Sequence, residues 1–65
     1  MTDNDILVDM AFNNPDWEWI GWGLSTGDKL ISDVNELVES AKIEGLVSGP
    51  IDSEEIADRI ESERL

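Results

Sequence analysis

Glu54, Asp58 and Glu61 are separated by four and three residues, with Glu55 beside them. On a helix this spacing sets the three carboxylates along one side, rising roughly 4.5–6 Å per step. Glu36, Glu39 and Glu44 form a second acidic set earlier in the chain. Carboxylates at such spacing can transfer protons, ligate cations or recognise cationic surfaces. Proton transfer needs burial to move a pKa toward the working pH, and a chain of 65 residues has little interior to provide it. Cation ligation is suggested by TDNDILVD, where Asp3, Asp5 and Asp9 stand as at the start of a calcium loop. That loop also needs a glycine at its sixth position and a glutamate at its twelfth, and here these are Val8 and Asn14.

Other reactive constellations fail on the residue inventory. Histidine, cysteine and tyrosine are all absent, which removes Ser-His pairs, thiolates and imidazole metal sites. Gly21 and Gly23 are followed neither by a third glycine at dinucleotide-binding spacing nor by a P-loop lysine. The sequence therefore predicts a protein that is not an enzyme, with no catalytic residues, no metal site and no cofactor. Recognition is the chemistry that remains.

Charge sets the kind of partner. Sixteen Asp and Glu face four Lys and Arg, for a formal net charge of −12. The excess is spread evenly: seven acids and one base in residues 1–33, nine and three in residues 34–65, so each half nets −6. Solubility of a small domain asks for a net charge of only about 2–8, and surplus like charge works against compactness. Direct nucleic-acid binding is disfavoured, because that affinity comes chiefly from cations neutralising phosphates. An anionic bilayer surface would repel the chain, and no stretch approaches the roughly 20 apolar residues of a membrane span.

Three tryptophans crowd into PDWEWIGWGL, in a chain with one phenylalanine. Trp17 shares a helical face with Ile20 and Leu24 and is assigned to the core, as is Trp22. Trp19 projects elsewhere and stands open between core and partner contact, the latter because tryptophan is enriched at interface hot spots and stacks on cations.

These side chains need a scaffold, and the apolar periodicity predicts an all-α one: a single domain, residues 1–65, built as a small bundle of three to four short helices. Ile6, Leu7, Met10 and Ala11 mark a helix over 3–13, capped by Thr2 or Asp3 and stopped before Pro15. Val8 and Phe12 lie off that face, leaving this helix apolar nearly all round. Asn14 as cap and Pro15 at the first position predict a helix over 15–22. Gly21 and Gly23 oppose it, and a strand over 16–24 in an α+β fold is the alternative. Leu30, Ile31, Val34, Leu37, Val38 and Ala41 fall within an arc of roughly 120° and predict a helix over 27–44 ending at Gly45. Asp52 as cap, Glu55 as its capping-box partner, and an Ile51–Ile56 staple predict a helix over 52–64. Its narrow apolar stripe is Ile56, Ala57, Ile60 and the stem of Arg64. Leu46 and Val47 are expected to plug the core between the last two helices.

The function expected from this pattern is a non-enzymatic acidic inhibitor, a DNA or RNA mimic that binds the basic nucleic-acid-binding surface of a partner protein. Its candidate contacts are Trp19, Glu36, Glu39, Glu44, Glu54, Glu55, Asp58 and Glu61. Phage anti-defence proteins and antitoxins are the settings in which such inhibitors operate. The expected location is the cytoplasm, or the host cytoplasm for a viral protein, and a homodimer is compatible with the sequence. The alternative is a small helical adaptor or assembly subunit that offers its apolar and tryptophan surface to a protein groove. The segment IDSEEIADRI resembles the first helix of many helix-turn-helix domains, but no recognition helix follows it before Leu65 and there is no basic patch.

Overall fold

A computed structural model describes residues 2–64. Four helices follow in order: α1 (Asp3–Asn13), α2 (Glu18–Trp22), α3 (Gly27–Ile43) and α4 (Ser53–Glu63). The described residues contain no strand, so the all-α expectation holds and the strand over 16–24 is ruled out. No helix among them is long and apolar enough to cross a membrane.

α1 begins with a capping box. The Thr2 amide donates to Asp5 at 3.1 Å, and the Asp5 amide donates back to the Thr2 hydroxyl at 3.2 Å. The near-circumferential apolarity of α1 is explained by its position, because it packs against all three other helices. Leu7, Val8, Met10 and Ala11 are buried, while Ile6 and Phe12 lean on the core from its edge.

α2 starts three residues later than expected. Asn14 does cap, but it caps a turn: its side chain accepts the Asp16 amide at 2.9 Å, while its carbonyl accepts the amides of Trp17 and Glu18. Pro15 to Trp17 thereby form a turn, and the helical register is established only from Glu18. Gly21 sits where α2 crosses α1. A Cβ there would overlap the Ala11 carbonyl oxygen and lie 2.8 Å from Phe12 Cδ1. The glycine that argued against a helix is what lets this one approach its neighbour.

α3 is strongly amphipathic, and Leu30, Val34, Leu37, Val38 and Ala41 are all buried. It ends in a Schellman motif: the Leu46 amide donates to the Ala41 carbonyl at 2.9 Å and the Gly45 amide to the Lys42 carbonyl at 3.1 Å. Gly45 takes φ +78°, a left-handed conformation open to glycine and strained for other residues. The tight reversal turns Leu46 outward, 46% exposed, and seats Val47 in the core at 3%. Of the two expected plugs, only Val47 is one.

α4 is capped by Asp52, whose carboxylate accepts the Glu54 amide at 3.0 Å. The expected capping box with Glu55 is not formed, and Glu55 points to solvent. Ile56 and Ile60 are completely buried, each contributing about 1.5–3 kcal/mol of hydrophobic stabilisation. No polar or charged residue is buried among those described. The whole charge of the chain therefore sits on or near the surface of a body measuring 28 × 22 × 19 Å.

Several polar ties cross between elements. Asp3 accepts the Ser48 and Gly49 amides at 3.4 and 3.2 Å, holding the α3–α4 connector against the start of α1. Asp5 forms a 2.9 Å ion pair with Arg59 of α4. Arg64 donates to the carbonyls of Gly21 (2.8 Å), Ser25 (2.6 Å) and Ile20, closing the C-terminal end of α2. Its expected role as an apolar stem is thus joined by a polar one.

Candidate protein-binding surfaces

α3 and α4 run antiparallel. Ser53 at the start of α4 donates its hydroxyl to Asn35 in the middle of α3. At the other end, the Gly27 amide lies 3.4 Å from the Glu61 carboxylate. The outward sides of both helices therefore share one broad face along this seam. Glu54 and Asp58 flank the seam on the α4 side, and Glu39, one turn beyond Asn35, extends the face on α3 just past the start of α4. All three are exposed. Glu61 belongs to the same row but is half-buried over the first turn of α3.

The other candidate acids stand apart from this face. Glu36 lies further round the exposed side of α3. Glu44 caps α3 nine residues past Asn35, about 13 Å along the helix axis. Glu55 is about 100° around α4 from Glu54. The carboxylates spread along the surface instead of converging, and no three of them among the described residues are grouped closely enough to hold a metal ion. Lys42 stands one turn beyond Glu39, and both it and Lys29 are exposed. The two arginines, by contrast, are tied to Asp5 and to α2.

One of the three tryptophans is more exposed than expected. Trp17 does lean on the core. Trp19 is 48% exposed and remains available for contact. Trp22, expected in the core, is 68% exposed, and Leu24, expected beside Trp17, is 99% exposed. With only five residues, α2 buries Ile20 and Gly21, then breaks at Gly23 before Leu24 can return to the core side.

Trp22 belongs to a second surface that the sequence reasoning missed. A groove of about 460 Å³ opens between α1, α4 and the end of α2. Its apolar wall is Val8, Phe12 and Trp22, and its rim carries Asp9, Glu63 and the Asp5–Arg59 pair. The Trp22 indole N–H donates to the Phe12 carbonyl at 3.3 Å. The two rings meet edge to face, with centroids 5.3 Å apart and planes at 82°. A signal for the α1 wall was present: Asp5, Val8, Asp9 and Phe12 recur at helical spacing as a stripe beside the core face.

Asp5 is the electrostatic fixture of this groove. The Thr2 backbone amide, the Arg59 guanidinium and the Thr2 hydroxyl all donate to its ionised form, in that order of weight. Together they lower its pKa from 3.8 to about 2. Asp3 and Asp5, two of the residues that suggested a calcium loop, are thus occupied with holding the fold, and Asp9 accepts the Asn13 amide at 2.8 Å.

No protein-family model matches the chain, and no curated protein or solved structure compared with it does so.

Proposed function

We propose that this chain is a non-enzymatic acidic inhibitor that occupies the basic, nucleic-acid-binding surface of a partner protein. The observation that carries this reading is the α3–α4 face, where Glu39, Glu54 and Asp58 are exposed on two antiparallel helices whose inner faces are buried. Packed helices hold the backbone beneath these carboxylates in place, so binding has only their side-chain freedom left to restrict.

The magnitude is suited to the task. A duplex as long as the 28 Å major axis of this molecule carries about 16 phosphate charges. The protein brings a net −12 to the same length. An electropositive cleft shaped for a duplex would meet a comparable charge density here, and long-range attraction would speed the encounter. The location consistent with this role is the cytoplasm, and phage or toxin–antitoxin systems are settings where it would be useful.

The test is competition. A partner captured from the native host should be released by added duplex DNA, and its affinity should fall steeply as salt rises. Glu39→Lys with Glu54→Lys should weaken the complex while leaving far-UV circular dichroism unchanged. Retention of binding by that double variant, or indifference to DNA and salt, would overturn the proposal.

A second reading is favoured by the exposure of Trp22, Trp19 and Leu24. A helical adaptor would use these apolar groups against a protein groove, with the carboxylates serving solubility. Such a complex would lose little affinity with salt and much with Trp19→Ala, so the same titration separates the two.

A further inference from the structure

We propose that the groove between α1, α4 and the end of α2 receives an arginine side chain of a partner protein, stacked on the Trp22 indole with its guanidinium held by Asp9 and Glu63. This goes beyond the inhibitor reading. The groove lies on the flank of α4 away from the seam carboxylates, and it requires a cationic protein but not a nucleic-acid-binding one.

Charge complementarity selects the occupant. The groove holds three carboxylates, Asp5, Asp9 and Glu63, against one guanidinium, Arg59, and so nets two negative charges. Asp5 is already engaged by Arg59. Asp9 accepts a single bond, from the Asn13 amide, and among the described residues Glu63 accepts none. Two carboxylates with free acceptor capacity therefore stand at the rim of an apolar slot. An anion would be repelled from it, and an apolar side chain would leave them unmatched.

The aromatic wall favours guanidinium over ammonium. Trp22 is 68% exposed, yet its ring is held by the bond from its indole N–H to the Phe12 carbonyl and by the edge-to-face contact with Phe12. An indole face fixed before binding loses little entropy when a ligand stacks on it. Tryptophan is the best aromatic partner for a cation. A planar guanidinium can stack on it and still donate in-plane hydrogen bonds to carboxylates, whereas a compact, strongly hydrated ammonium does this poorly. The groove volume of about 460 Å³ lies in the lower part of the usual range for ligand sites, about 300–1,000 Å³. The slot has room for the arginine with part of its neighbouring backbone.

The experiment titrates blocked hexa-arginine and hexa-lysine peptides, equal in charge, into isotope-labelled protein and follows the backbone amides of the groove together with the Trp22 indole N–H. Hexa-arginine should bind about three- to ten-fold more tightly and should shift that resonance. Trp22→Ala should abolish the preference, and so should Asp9→Asn with Glu63→Gln, a pair that keeps the groove's shape and controls for folding. Glu39→Lys with Glu54→Lys should weaken both peptides alike and leave the preference intact. Equal affinity of the two peptides for the parent protein, or survival of the arginine preference in Trp22→Ala, would overturn the inference. The two proposals fail separately. Groove variants that bind a captured partner normally sink this one alone. Seam reversals that bind it normally sink the inhibitor reading alone.

Discussion

Replacing Arg64 by alanine removes three donors at once from the end of α2. In the parent protein the Arg64 guanidinium bonds the carbonyls of Ile20, Gly21 and Ser25. Hydrogen bonds to a charged group contribute about 1.5–3 kcal/mol each, so three at the lower figure come to about 4.5 kcal/mol. The side chain is only partly buried, and water will satisfy some of the released carbonyls. About 2–3 kcal/mol is the expected net loss. A chain of this size is stable by only about 3–10 kcal/mol in total, and the change corresponds to a fall of about 10–20 °C in Tm. Urea denaturation followed by tryptophan fluorescence and by far-UV circular dichroism would measure it. All three tryptophans lie on or beside α2, so fluorescence should report loosening of α2 before dichroism reports the loss of α1, α3 and α4. Arg64→Lys keeps the charge, but one ammonium cannot reach three carbonyls, and it should recover less than half of the loss. A loss below about 0.5 kcal/mol in Arg64→Ala, within the range of an ordinary surface substitution, would refute the reasoning. Full rescue by lysine would do the same.

Gly21→Ala should destabilise the fold by about 1–3 kcal/mol or more, because its Cβ meets backbone at Ala11 that cannot swing aside; calorimetry against a Gly49→Ala control would show it. Val47→Ala should cost about 1–2 kcal/mol in urea denaturation, whereas Leu46→Ala should stay within about 0.5 kcal/mol. Asp5 has a folded pKa depressed to about 2 from 3.8, so its contribution is complete above the unfolded value and is lost as pH falls through the folded one. Denaturation at a series of pH values should accordingly find a constant stability gap between the parent and Asp5→Asn above about pH 5, shrinking between about pH 4 and 2. A gap that is flat through that window would show that the Thr2 and Arg59 contacts do not hold the carboxylate.

What local sequence determined was the set of helices and their punctuation. The stripe from Leu30 to Ala41 and the pair Ile56 and Ile60 fall on buried faces because a helix repeats every 3.6 residues whatever it later packs against. The stops at Asn13 and Gly45 likewise follow from short-range chemistry: a proline that cannot continue a helix, and a glycine that can turn left-handed. The even spread of carboxylates over the surface was legible too, since nothing in so small an interior could accept them.

Tertiary structure decided everything that depends on which elements meet. Gly21 reads as a helix breaker until α1 is brought across it, and then the missing Cβ is what permits the crossing. Trp22 and Leu46 read as core by residue type, but Trp22 closes the short α2 and Leu46 follows the Schellman turn, and both are exposed. Arg64 and Asp3 act on residues 39 to 46 positions away in the chain, and no local pattern encodes such a distance. The groove that Trp22 shares with Asp9 and Glu63 is of the same kind. Its walls come from three helices, and it exists only once the packing of the bundle has placed them side by side.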